Sequence, residues 1–390
     1  MYKHREPDLL FARMALLERL ATPAQIQKAM GMLRRIAQAG GTPPSIGEVL
    51  IGEKIITEEQ SRGLSARLEE ANRAITDAQA GLHEVPRRVG RYELLERIGR
   101  GGMGAVYRAR QLNMDRVVAL KVLAPHLTRD SKYIKQFIRE ARAAGQINHA
   151  NIVSVHEVGE ADGHFFICME FVEGRTLSRE LLARRRIPAL EALDQAAQVA
   201  EALAAAEKAG IVHRDIKPDN LIRTPKGRIM VTDLGLAKRL ADVTSAGQTG
   251  WACGTPYYMA PEQARDSRRV DTRSDIYSLG ATLYHLTTGK LPFEGDSSVE
   301  VLMRAATDRL VPPAILCPEV PQPLSDLIER MMAREPEGRP QTAVALIGEI
   351  AGCRREIESA GSGRGPSRRL PRGARGAGAA AGTGDRKSVV

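Results

Sequence analysis

The hydrophobic positions along the chain fall into two regimes. In the first, Leu9, Leu10, Met14, Leu16, Leu17 and Leu20 recur at the three- and four-residue spacing of an amphipathic helix. Thr22, with Pro23 behind it and Gln25 three residues on, predicts a capped second helix, since each side chain can satisfy an amide the other leaves exposed. The same device returns 35 residues later at Thr57-Glu58-Glu59-Gln60, with Leu20 and Ile55 in matching places. Residues 1–86 therefore read as a separate helical domain of two weakly similar units, with a helix end and linker from Glu69 to Pro86.

In the second regime strand-like runs come first. Tyr92 to Ile98 leads into Gly99-Arg100-Gly101-Gly102-Met103-Gly104, and Val106-Tyr107-Arg108-Ala109 resumes as strand. A dinucleotide fingerprint would pass from such a turn into a helix, so this glycine turn reads as a strand-turn-strand hairpin, either a plain reversal of the chain or one whose backbone approaches phosphate oxygens. Val118-Ala119-Leu120-Lys121 is an apolar strand ending in one lysine. Ile134, Phe137, Ile138 and Ala141 mark an amphipathic helix that carries Glu140, and Phe165 to Met169 is a strand running into Glu170-Phe171-Val172-Glu173-Gly174. Helical patterns then dominate, at Ala192 to Ala206 and Ala343 to Ile350, broken by Leu221-Ile222 and Ile229-Met230-Val231 around Pro225-Lys226-Gly227, a short hairpin. Strands followed by helices indicate an α+β domain after the helical one.

Composition narrows the picture. A length of 390 residues with 43% hydrophobic content suits two or three folded domains. No apolar run approaches the ~18–20 residues of a membrane span, and Met1 to Asp8 lacks the apolar core of a secretory leader. Cys168, Cys253, Cys317 and Cys353 are scattered without metal-like spacing, which suits reduced thiols and a cytoplasmic location. Of the net charge of +10, residues 354–390 carry +6, with nine Lys/Arg against three Asp/Glu. Ser362 to Gly384 is rich in Gly, Ala, Arg, Pro and Ser, so residues 354–390 are expected to form a disordered basic tail. With no aromatic residue after Phe293, the tail suits nonspecific acidic contacts and no specific nucleic-acid site.

The candidate chemistry lies in one stretch. His213-Arg214-Asp215-Ile216-Lys217-Pro218-Asp219-Asn220 precedes the hairpin and Asp233-Leu234-Gly235 follows it, so the hairpin would hold Asp215, Asn220 and Asp233 at one edge. Phosphoryl transfer needs this kind of set: carboxylates and an amide that position a hydroxyl and a metal.

This stretch resembles the catalytic and metal-binding loops of the bacterial eukaryotic-type serine/threonine protein kinases, over roughly residues 91–351. The resemblance implies a β-rich lobe over a helical lobe, with ATP and Mg²⁺ between them. Asp215 would be the base, with Lys217 and Thr255 beside it, and Asn220 and Asp233 would hold the metal. Ile98, Gly99, Gly101, Gly104, Val106, Ala119, Met169, Glu170 and Val172 would line the nucleotide site, with Lys121 on the phosphates and Glu140 as its carboxylate partner. Lys217 is the serine/threonine form, and Leu234 replaces the usual Phe, altering packing rather than chemistry. Thr249, Thr244 and Ser245, between Leu236 and Met259, are candidate autophosphorylation sites, with Thr249 leading and Arg214 as the cation that would pair with its phosphate. Autophosphorylation would use a homodimer. Asp275 is expected to support the catalytic loop and Arg339 to pair with Glu262. A pseudokinase scaffold would have lost Lys121, Asp215, Asn220 or Asp233, and all four are present. A small-molecule kinase conflicts with the Gly254 to Glu262 segment, which resembles the protein-substrate seat.

Ser45-Ile46-Gly47-Glu48-Val49-Leu50 through Ile56-Thr57 resembles the N-terminal domain of type II secretion and pilus ATPases, some of which bind a cyclic dinucleotide. That family usually has Arg at the place of Ser45 and Gly at the place of Lys54. With both absent, a module that docks a protein partner is the expected role.

Overall fold

In a computed structural model of the chain, the structure describes residues 6–80 (apart from 19, 40 and 42), 87–234 (apart from 102 and 130), 256–265, 270–295 and 298–362. The first unit is four helices, α1 (Glu6–Leu17), α2 (Pro23–Gln38), α3 (Ile46–Gly52) and α4 (Glu58–Ala80). Their apolar faces bury Phe11, Ala15, Leu33, Ile46, Leu50 and Leu64 in one core. Both expected capping boxes form: Thr22 N donates to Gln25 Oε1 at 2.7 Å and Thr57 N to Gln60 Oε1 at 2.8 Å. Ser45 makes a third, its amide donating to Glu48 Oε2 at 2.6 Å. Lys54 has φ +56°, a left-handed backbone that glycine adopts freely, so the turn persists without the glycine.

The second unit opens with a six-stranded antiparallel sheet in the order β1-β2-β3-β4-β6-β5. Its strands are β1 (Arg88–Val89), β2 (Tyr92–Gly101), β3 (Gly104–Gln111), β4 (Arg116–Leu123), β5 (Val155–Ala161) and β6 (His164–Glu170). Strand alternation sorts β4 between two cores. Val118, Leu120 and Val122 join Tyr92, Tyr107, Phe166 and Cys168 on one side. Ala119 and Leu123 join Ile167 and Met169 on the other, packed on Tyr133 and Phe137 of helix α5 (Ser131–Ala144). Lys121, between Ala119 and Leu123, therefore shares the α5 side. The β2–β3 turn closes with Gly101 opposite Gly104. Gly104 has φ +138°, and a Cβ there would stand 2.0 Å from Val122 O, so no other residue fits.

The entry to this sheet is fastened at its far edge. Gly90 N donates to Asp162 Oδ2 at 2.7 Å, and Arg91 and the Tyr92 hydroxyl both bond Glu157.

The helical lobe comprises α6 (Leu177–Arg184), α7 (Ala189–Lys208), α8 (Pro261–Arg265), α9 (Thr272–Thr288), α10 (Ser298–Thr307), α11 (Pro313–Leu316), α12 (Gln322–Met331) and α13 (Ala343–Ser362). A small sheet of β7 (Arg175–Thr176), β8 (Leu221–Arg223) and β9 (Ile229–Val231) lies against it. Helix α9 is buried from Ser274 through Tyr284, so the lobe is built around it. The boundary expected at residue 354 is corrected: α13 continues to Ser362. Cys353 is buried, Ile357 packs on the core, and Arg354 pairs with Asp194 of α7 and with Glu358 at 2.8 Å. These contacts outweigh the polar composition that suggested an early end. Residues 363–390 lie outside the described residues. Among those described, no helix is long and apolar enough to cross a membrane, and Cys168, Cys317 and Cys353 are free and buried.

Candidate active site

The loop from His213 to Asn220 is held from beneath by Asp275 of α9. Its Oδ2 accepts from His213 N and its Oδ1 from Arg214 N, both at 2.7 Å. Complete burial pushes this carboxyl up, while the His213 ring and the two amides act in the opposite direction. The bonds hold Arg214 at φ +66°, a region non-glycine residues seldom enter and keep only when their surroundings enforce it. Gln263 Nε2 of α8 donates to Arg214 O at 3.1 Å, and the His213 ring bridges Thr232 O at 3.0 Å and Asp215 N at 3.2 Å.

The consequence is a fixed carboxylate. Asp215 Oδ2 receives Lys217 Nζ at 2.8 Å and Asn220 Nδ2 at 3.0 Å, and the same Asn220 amide donates to Asp215 O at 2.7 Å. Asn220 can do this because Pro218–Asn220 forms a single 3-10 turn running straight into β8.

Hairpin β8–β9 then carries the chain back. Thr232 N donates to Asn220 O at 3.0 Å, which ties the two sides of the site together. Asn151 braces β9 by donating to Ile229 O at 2.8 Å and accepting from Val231 N at 2.8 Å. Asp233 follows at φ +60° and places Oδ1 2.7 Å from Lys121 Nζ. The lysine side chain is only 9% exposed, so its ammonium needs a carboxylate. The expected Lys121–Glu140 pair is corrected here, since Lys121 is paired with Asp233. Glu140 is bonded instead by Gln136, one turn earlier on α5, a local bond that any i, i+4 pair can form. Leu234 is buried in the core of the helical lobe, as its apolar side chain requires.

Four of the remaining expected pocket residues share the Lys121 side of the sheet. Ala119 and Met169 are buried with Met230, while Val106 and Val172 are half-buried on the same cluster. Ile98 is 39% exposed at the end of β2. Glu170 ends β6 with its amide donating to Ser154 O at 2.9 Å. Gly99, Gly101 and Gly104 form the turn above. Thr255, Thr249, Thr244 and Ser245 lie outside the described residues.

A second ionic centre supports the site from below. Arg339, with a side chain 0% exposed, donates to Glu262 Oε1 at 2.6 Å and Oε2 at 2.9 Å. It also donates to the carbonyls of Ala333 (2.8 Å), Arg334 (2.9 Å) and Arg273 (3.0 Å), and its guanidinium carbon lies 4.9 Å from the Tyr277 ring centre. Ser274 Oγ adds a bond to Glu262 Oε1 at 2.6 Å. Sequence reasoning named Glu262, Arg339 and Asp275, yet missed Asn151, Gln263 and Ser274. Gln263 directly follows Glu262, and Asn151 directly precedes apolar Ile152-Val153, the faint signals available.

A family model described as the protein kinase domain matches residues 92–348. The serine/threonine-protein kinase pkn3 of Myxococcus xanthus is 40% identical over 284 residues, covering 69% of this chain and 52% of that protein. PrkC of Bacillus subtilis, a serine/threonine-protein kinase, is 39% identical over 261 residues, covering 67% and 40%. The chain thus spans about half or less of the length of these relatives. Among solved structures, the kinase domain of PknI from Mycobacterium tuberculosis aligns with a TM-score of 0.57 at 26% identity, covering 69% of this chain and 99% of that one. With its Asp215–Lys217–Asn220 cluster, its Asp233–Lys121 pair and a match across two thirds of its length, this chain belongs to the protein kinase family, in the branch of the bacterial serine/threonine kinases.

Proposed function

We propose that the protein transfers the γ-phosphoryl group of ATP to serine or threonine hydroxyls of proteins. The observation that carries this reading is the convergence of Lys217 and Asn220 on one oxygen of Asp215, at 2.8 and 3.0 Å. A carboxylate so held can orient a hydroxyl and take its proton as the oxygen attacks the γ-phosphorus and ADP leaves. Lys217, already at the base, would meet charge developing on the transferred group.

The residues present fit the nucleotide and its metal. A Cβ at Gly101 would meet nothing within 4 Å, so bare backbone is open there to a phosphate. Asp233 and Asn220 supply hard oxygen donors of the kind Mg²⁺ prefers. When bound, the metal would neutralise phosphate charge. Lys121, held beside Asp233 at 2.7 Å, would meet the α- and β-phosphates.

The kinase reading is tested with purified protein, labelled ATP and a generic protein substrate. Lys121→Met should cut transfer by about a hundredfold or more in a protein that still melts like the parent. Equal turnover in the folded variant would remove Lys121 from the site. Mass spectrometry of the same reaction should find autophosphorylation between residues 236 and 259, with Thr249 leading, and Thr249→Ala should lower activity. Such a phosphate would seek the cation at Arg214. Thr255 is proposed to help seat the substrate hydroxyl, and a homodimer to serve phosphorylation between copies.

The N-terminal domain, residues 1–86, is proposed to dock a protein partner, the three capping boxes and shared core of its four described helices supporting an independent module. A chain beginning at Arg87 should retain ATP-dependent activity. A folded but inactive truncation would make the module an obligate activator instead. Free buried thiols and ATP use suit the cytoplasm.

A further inference from the structure

One charged side chain on the nucleotide side of the sheet plays no part in the chemistry above. Arg108 stands two residues past Val106 on β3, so strand alternation gives both the same face. The register sets Val106 opposite Lys121 and Arg108 opposite Ala119, the next same-face rung toward the connector that follows β6. Arg108 is half-buried, and among the described residues it has no carboxylate partner. Its guanidinium carbon lies instead 5.6 Å from the ring centre of Phe171. Phe171 sits between Glu170 and Val172 and packs on the cluster that contains Ala119 and Met169.

We propose that Arg108 is a positioning residue for the nucleotide: stacked on Phe171, it sets the spacing between β3 and the connector whose backbone would meet the base. The proposal rests on the nucleotide reading of this cleft. A planar guanidinium on an aromatic face is attracted by the ring's negative π-cloud, more strongly when water is partly excluded, as it is for both half-buried partners. Without the stack, Phe171 would keep its apolar contacts on the Ala119–Met169 cluster but lose the charged link to β3. The effect should fall on nucleotide affinity and spare the phosphoryl-transfer step, because Asp215, Lys217 and Asn220 are fixed by α9 and not by the connector.

The test uses full-length protein, a fluorescent ATP analogue for direct binding, and steady-state kinetics with varied ATP, each variant checked by thermal melting. Arg108→Ala and Phe171→Leu should each weaken binding and raise KM for ATP by about three- to tenfold, with kcat changed less than about twofold. The double variant should bind no more weakly than the worse single one, since both remove the same contact. Arg108→Lys should retain more affinity than Arg108→Met, which keeps the apolar stem without the charge. Unchanged affinity in folded Arg108→Ala, additive losses in the double variant, or equal behaviour of the Lys and Met variants would each overturn the proposal. Should the parent protein bind nucleotide yet transfer no phosphate, the kinase reading fails while the binding constants still decide this one. A parent that binds no nucleotide overturns both.

Discussion

Asp215→Asn should lower phosphoryl transfer by about a hundredfold or more while leaving the melting temperature nearly unchanged. Asparagine keeps the size of the side chain and an oxygen that can still accept from Lys217 or Asn220, so the loop retains its bonds to Asp275 and Gln263. What it loses is the charge and the basicity that a hydroxyl proton requires. Single-turnover transfer from labelled ATP, compared with direct nucleotide binding, separates these effects: binding should persist and transfer should collapse. Near-parental turnover in a folded variant would show that Asp215 is not the base.

The largest effect on stability is expected at the second ionic centre. Arg339→Met should destabilise the protein by about 3–5 kcal/mol, because Glu262 would be left buried without its cation and three carbonyls would lose a donor. For a domain of this size that corresponds to a fall in Tm of roughly 6–20 °C. Glu262→Gln, which strands the arginine, should be severe as well. The double change Glu262→Leu with Arg339→Met should recover part of the loss, since two apolar side chains leave no orphaned charge. Thermal melting of the four proteins decides it, and a single-variant loss below about 1 kcal/mol would show the centre to be effectively solvated.

The same pair sets a response to acid. Burial alone would raise the Glu262 carboxyl, but the Arg339 donors and charge outweigh it and hold it below the ordinary glutamate range. A carboxyl depressed in the folded state stabilises the protein above its unfolded pKa of about 4.3 and loses that contribution as pH falls through the folded value. Asp271 is depressed in the same sense, its burial outweighed by Arg273. Stability should therefore decline as pH drops below about 4, and more shallowly in the Leu/Met double variant.

How much of this site could be read from residue order alone differs from element to element. The hairpin around Pro225-Lys226-Gly227, the glycine turn and the strand carrying Lys121 are local patterns of two to ten residues, and the chain adopts them where those patterns stand, with the Lys121 strand running on to Leu123. The capping boxes are equally local, because donor and acceptor lie three residues apart. Residue identity also pointed to the chemistry, since carboxylates, an amide and lysines in this order suit phosphoryl transfer.

Tertiary structure decided the rest. Lys121 and Asp233 are 112 residues apart, and their pairing depends on a left-handed turn at Asp233 that brings its carboxylate to a nearly buried ammonium. Glu140 carries the residue type suited to that lysine, but the position of α5 determines whether it reaches it, and here Gln136 bonds it instead. The end of α13 escapes local composition for a related reason: Arg354 is paired with Asp194 from another helix and Ile357 packs on the core of the lobe. Spacing along the chain controls interactions within a turn or a strand. Contacts between distant segments depend on the balance of burial, charge and backbone geometry that exists only once the lobes have packed.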